Sequence, residues 1–248
     1  TLADGNETAR LISEALGGTT LLPRSERWFR VLRPAGLAVH LMDGWMEGWK
    51  VPSYVTRALA GPSARPDAIA RSLPGSPAYT RAVDGPDAEP NVELMLDLIE
   101  RHTRHLSLRP IYEGKSLSWL LAVLRKTRQD QELRVRAVRA EGEAIGWYVY
   151  YSRPGRVGRV LQIGSAPTSQ RTVLDHLFAD AMQEGNVGLS GQSDPTWTDA
   201  LGGASCRARP GRTWLLVYTA NPRVKRALAG SDAFLSRLEG EAWLHFGF

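Results

Sequence analysis

A chain of 248 residues, 43% hydrophobic and 23% charged, has the balance of an ordinary globular protein, which sets disorder aside and leaves room for one large domain or two modest ones. The net charge of +5 invites an anionic ligand, yet only four of the 31 basic residues are lysines, and the arginines are scattered among acidic residues without a basic helix or an aromatic platform, which argues against nucleic acid. A single cysteine, Cys206, excludes an internal disulfide and a cysteine-rich zinc site and fits a reducing, cytoplasmic compartment, and no apolar run approaches the roughly eighteen residues that span a bilayer.

The chain opens on Thr1-Leu2-Ala3-Asp4, with neither an initiator methionine nor the basic and apolar regions of a leader, which reads as a piece of a longer protein. Over 7–16, Ala9, Leu11, Ile12, Ala15 and Leu16 recur at helical spacing; Asn6 caps the start and Gly17-Gly18 stops it. Two β-leaning runs, 19–22 and 27–32, flank Pro23-Arg24-Ser25-Glu26 and predict a hairpin. One helix and two strands bury too little apolar surface to stand alone, so they require a cover, and Trp28 and Phe29 are expected to be buried. The middle, 35–90, clusters glycine and proline and predicts an ordered connector with short helices at 55–60 and 66–73, in which Trp45 and Trp49 pack against a neighbour.

Regular patterning begins after Pro90. Val92, Leu94, Met95, Leu98 and Ile99 predict one helix, and Leu117, Leu120, Leu121 and Leu124 a second after Gly114. Three strands follow at 133–140, 144–151 and 157–163, turned at Glu141-Gly142-Glu143 and Arg153-Pro154-Gly155-Arg156. Val173, Leu174, Leu177, Phe178, Ala181 and Met182 mark a helix capped by Thr168 or Ser169 and ended by Gly185, and 186–190 is then a strand parallel to its predecessor, a βαβ unit. A short helix near 196–201, a hairpin of 205–207 with 213–219 around Arg209-Pro210-Gly211, and a helix over 222–229 behind Asn221-Pro222 complete the string.

This order of elements, with Glu141-Gly142-Glu143-Ala144-Ile145-Gly146-Trp147 before the third strand and Leu161-Gln162-Ile163 leading into the crossover helix, resembles the GNAT acyl-CoA N-acyltransferases over 91–248. The resemblance implies an α/β (α+β) fold, a mixed central sheet with flanking helices. Residues 1–34 resemble the last helix and hairpin of another such domain, the tail of a tandem's first half, and 35–90 is the connector. The chain's own 91–248 domain or a second copy in a homodimer is then the expected cover, with the missing N-terminal half as a further partner.

In that family an acyl group passes from acetyl-CoA or another acyl-CoA to an amine, and the cofactor's pyrophosphate rests on backbone amides of a glycine loop at the start of the crossover helix. The corresponding positions here are Ile163, Gly164, Ser165, Thr168, Ser169, Gln170, Arg171 and Thr172. Both motif glycines are absent and Pro167 removes a donor, so the loop is degenerate and cofactor binding is expected to be weak or lost. The third strand offers Gln162 where a carboxylate base is common, which leaves Asp194 as base and Tyr218 as donor to the leaving thiolate. The alternative is a catalytically inactive GNAT-like module that supports or binds a partner. His102 and His105 lack a third metal ligand and read as surface histidines, and Glu239-Gly240-Glu241 reads as a solvated turn.

Overall fold

The computed structural model describes residues 2–37, 89–128, 130–211 and 213–239. The helices expected at 55–60 and 66–73, together with Trp45 and Trp49, lie outside them.

Helix α1 (Glu7–Ala15) begins where Asn6 Oδ1 accepts from Ala9 N at 2.9 Å. It lies between strands β1 (Leu2–Gly5) and β2 (Thr19–Thr20), and the short helix α2 (Leu22–Ser25) leads into β3 (Glu26–Val31). Helix α3 (Val92–Thr103), capped by Asn91, buries Met95, Leu98 and Ile99, and α4 (Gly114–Thr127) buries Leu117, Leu120, Leu121 and Leu124. Strands β4 (Glu132–Ala140) and β5 (Glu143–Ser152) join through Glu141 and Gly142, both at positive φ, as a tight two-residue hairpin turn requires.

After β6 (Val157–Ser165), a turn of 3-10 helix (Pro167–Ser169) opens α5 (Gln170–Gln183), which returns to β7 (Gly188–Gln192). β7 starts later than the sequence predicts because Asn186 is a loop organiser. Its side chain accepts from Arg153 N and donates to Ser152 Oγ and Ala181 O, fully buried. Helix α6 (Thr198–Gly203), strands β8 (Arg207–Pro210) and β9 (Trp214–Val217), and helix α7 (Pro222–Ala229) follow.

Six strands form the main sheet in the order β4-β5-β6-β7-β3-β8, with β6 and β7 parallel and every other neighbour antiparallel. Side chains alternate across it. Trp147, Val149 and Tyr151 of β5 face α3 and α4, whereas Tyr148 and Tyr150 face Val173, Leu174, Leu177 and Phe178 of α5. This is the mixed sheet with flanking helices expected of a GNAT-like fold. Among the described residues no helix is long and apolar enough to cross a membrane.

Both predicted terminal hairpins are absent. β2 does not pair with β3, nor β8 with β9; instead β2 pairs with β9 and β3 with β8. Thr19 faces Val217, and ten residues along each strand Phe29 faces Arg207, so one antiparallel register runs through both pairings. The ribbon kinks at α2, with Gly211 opposite Ser25, and so passes from the small sheet β1-β9-β2 into the main one. At the kink Leu215 N donates to Ser25 Oγ at 2.8 Å, and a Cβ on Gly211 would lie 2.2 Å from Ser25 O, so glycine is required there. The prolines and glycines read as hairpin turns are therefore facing kinks of one ribbon.

The stretch 2–31 is consequently built into both sheets, β1 and β2 into the small one and β3 into the main one. Trp28 and Phe29 are buried, as expected, whereas Leu11, Ile12 and Leu16 of α1 and its C-terminal turn are each more than half exposed at 55%, 56% and 69%.

Candidate functional site

β6 and β7 pair only where Val157, Gly158 and Arg159 face Gly188, Leu189 and Ser190; beyond that the two parallel strands part. The bulge that helps them part is in β6. Val149 of β5 faces Gln162 and Tyr150 faces Val160, which leaves Leu161 as an extra residue. Trp28 wedges the far side. Its indole lies on Gly191, where a Cβ would come within 2.6 Å of the ring, and meets Phe178 edge-on at 6.3 Å. The result is a cleft of about 370 Å³, counting its open mouth, lined by Trp28, residues 160–163, Gln192, Asp194, Trp197 and residues 234–236.

The chain's own returning segment forms one wall. Phe234 N donates to Leu108 O, and Arg237 N donates to the carbonyl of the bulged Leu161, both at 2.9 Å. Arg237 is also ion-paired with Asp4.

Behind that wall lies a polar cluster that sequence reasoning missed. Trp147 Nε1 donates to Gln162 Oε1 at 2.8 Å, and Gln162 Nε2 donates to Glu239 Oε1 at 3.0 Å and to Ser236 Oγ at 3.2 Å. Tyr112 Oη donates to the same Glu239 oxygen at 2.5 Å, and Ser236 N donates to the other. Glu239 is thus no solvated turn residue. Burial raises its carboxyl above the ordinary value of 4.5, against the opposing pull of Ser236, Tyr112 and Gln162. Burial, then the neighbouring Glu239 charge, also raises Tyr112. Only tertiary structure brings these residues together, and nothing local in the sequence marks Glu239.

Of the two expected catalytic residues, Asp194 lines the cleft. Its Oδ1 accepts from Thr196 N at 2.8 Å and from Thr196 Oγ1 at 2.6 Å, capping the 3-10 turn Pro195–Trp197, and its Oδ2 is ion-paired with the buried Arg24. Arg24 also donates to Leu228 O, Gly230 O and Ala233 O, so one guanidinium fastens α7 and the returning segment to the end of β7. Tyr218, just beyond β9, is 59% exposed and is not among the residues lining the cleft.

The expected cofactor loop runs from the end of β6 into α5. Gly164 is occupied by packing, because a Cβ there would fall 2.1 Å from the Trp147 ring. Ser165 Oγ donates to Ala166 O, and Gln170 Nε2 to Thr196 O at 2.9 Å. Arg171 is paired with Asp175 and donates to Gly203 O at 2.7 Å. Ser169 N and Gln170 N turn back to Ala166 O and Pro167 O, so two amides that an anion would use at a helix start are taken. Thr168 lies within that turn and Thr172 in the first turn of α5.

Outside the cleft, Cys206 is half-buried and burial pushes its thiol up to about 12, the property of an inert thiol. His102 stacks on Trp147 at 6.1 Å and burial lowers it, so it is no ordinary surface histidine. Among the described residues no group of three or more histidine, cysteine or acidic side chains could hold a metal.

No family model and no curated protein matches the chain. Among solved structures it is similar to crystal structures of Saccharomyces cerevisiae N-myristoyltransferase. One, with bound myristoyl-CoA and inhibitors, has a TM-score of 0.48 at 13% identity over 81% of this chain and 51% of that one. Two others with bound myristoyl-CoA have TM-scores of 0.47 and 0.44 at 12% and 13% identity, each over 81% of this chain and 52% and 50% of theirs. The chain therefore spans about half the length of the structures it matches.

Proposed function

We propose that this chain is one half of a GNAT-type acyl-CoA N-acyltransferase and that the cleft between β6 and β7 receives the acyl thioester. The observation that carries the reading is the parting of two parallel strands after three residue pairs. It exposes a strand edge and a bulge to which an extended, amide-bearing chain such as pantetheine can hydrogen-bond as an added strand. The apolar walls of Trp28, Trp197 and Phe234 suit an acyl group.

In the reaction, the acceptor nitrogen attacks the thioester carbonyl, the C–S bond breaks, the acceptor proton passes to a base and the thiolate is protonated as it leaves. Asp194 is the carboxylate at the cleft and serves as base once Arg24 yields. Tyr218 serves as thiolate donor only if the cofactor reaches beyond the cleft. The returning segment, with Arg237 N on Leu161 O, occupies part of the edge the cofactor would use, so binding requires it to move.

Calorimetric titration of the chain with acetyl-CoA and with myristoyl-CoA tests this. One-site saturation at micromolar cofactor is expected, and a preference between the two reports the acyl length. A second reading, an inactive GNAT-like module, draws on the amides already taken at Ser169 and Gln170. Absence of heat at millimolar cofactor would leave that reading alone.

A further inference from the structure

Gln192, the last residue of β7, borders two cavities. One is the cleft. The other, a shallow pocket of about 200 Å³ counting the space open to solvent, is lined by Arg24, Arg27, Arg237, Asp4 and Thr213 among others. Two of its three arginines are neutralised, Arg24 by Asp194 and Arg237 by Asp4. Arg27 faces Gln192 on one side and Arg209 on the other in the sheet register, and its side chain makes no hydrogen bond or ion pair among the described residues. Glu26, the remaining acid of the lining, is exposed to solvent. The side chain of Gln192 is in the same position: both Nε2 and Oε1 are buried without a hydrogen-bond partner among the described residues.

A largely buried guanidinium without an ion pair, beside an amide without a hydrogen bond, is costly. Burial first, then repulsion by Arg237 and Arg159, brings Arg27 down to about 10, at which it still carries its charge at neutral pH. Arg159 is lowered to about 10 by the same two kinds of cause. Of the three arginines that line the pocket, Arg27 is the one without an ion pair among the described residues, and it calls for a negative charge. A carboxylate meets that need, since it accepts two parallel bonds from a guanidinium and leaves a lone pair for an amide donor, whereas a phosphate dianion would overshoot the charge beside Asp4.

We propose that the cavity bounded by Arg27, Gln192 and Arg237 binds a carboxylate, and that this carboxylate belongs to the acceptor amine. The second part rests on the acyl-transfer reading. Gln192 borders both spaces, so a small molecule anchored at Arg27 extends toward the cleft, which makes an amino-acid-like amine the substrate class.

Thermal unfolding and calorimetry of the full chain, without any acyl-CoA, test the site. Millimolar acetate and glycine are expected to raise the melting temperature, and glycinamide, which lacks the carboxylate, to leave it unchanged. Arg27→Gln should melt no lower than the wild type in anion-free buffer, because a repulsion is removed, yet bind acetate about tenfold more weakly or worse. Gln192→Leu keeps every arginine and should show the same loss of binding, while Arg125→Gln, a matched charge removal on the surface, should show none. Equal stabilisation of wild type and Arg27→Gln, no shift with any carboxylate, or tighter binding of inorganic phosphate than of acetate would overturn the assignment. Since no cofactor is present, failure here leaves the acyl-CoA proposal standing, and failure of acyl-CoA to bind leaves this site standing.

Discussion

The two ends of the main sheet are put together differently. Strands β4, β5 and β6 are consecutive, each joined to the next by a short turn, and their faces are filled by helices from the same stretch of chain. At the other end β3 sits between β7 and β8, brought there from a position far off in sequence. The first end is held mainly by apolar packing, with Trp147, Val149, Tyr150 and Tyr151 almost wholly buried. The second relies on buried arginines. Arg24 reaches Asp194 and three backbone carbonyls, and Arg30 donates to Ala204 O. The cleft lies where the two constructions meet, and strands can part there because neither packing scheme covers both.

The sharpest test of that difference is Arg24→Met. It strands Asp194 and leaves three carbonyls without a donor, and should cost about 3–5 kcal/mol in urea denaturation. A loss below about 1 kcal/mol would remove the distinction between the two ends. At the consecutive end, Gly164→Ala forces a methyl into the Trp147 ring and should cost about 1–3 kcal/mol, less than Arg24→Met; the reverse order would mean that packing, not the arginine, governs both ends.

The smallest expected effect concerns Glu239 at the seam. Its folded-state carboxyl binds a proton more readily than its unfolded one, so its stabilising contribution is complete below the ordinary value of 4.5 and declines as pH rises from there through the folded value. Glu239→Gln should flatten that part of the stability–pH curve. An unchanged slope would return Glu239 to solvent.

The consecutive end was legible from the residues. Helical spacing marked α3, α4 and α5, alternation and turn residues marked β4 to β6, and both glycines and proline at the ends of helices were read for what they do. What failed was pairing at a distance. Pro23 to Glu26 and Arg209-Pro210-Gly211 carry the chemistry of a turn, and a turn between two strands is locally indistinguishable from a kink in a strand whose partner lies elsewhere. The site was legible only in part. Asp194 is at the cleft because it caps the turn after β7, a local fact, whereas Gln162, Glu239, Tyr112, Gln192 and Arg27 acquire their meaning from neighbours on other elements. Residues 163–172, read as a loop without the motif glycines, gain from the structure what the sequence does not show: Ser169 N, Gln170 and Arg171 are hydrogen-bonded within the chain.

The ribbon that joins 19–29 to 207–217 also bears on how the protein is made. On a ribosome the early strands wait for partners roughly 180 to 200 residues downstream, some ten to forty seconds at about 5–20 residues per second. In that interval β4, β5 and β6 can already assemble on their helices, while Trp28 and Phe29 remain uncovered. The order of synthesis therefore lets β3 enter the sheet only after β7 is made, and leaves its ribbon with 207–217 to be completed last.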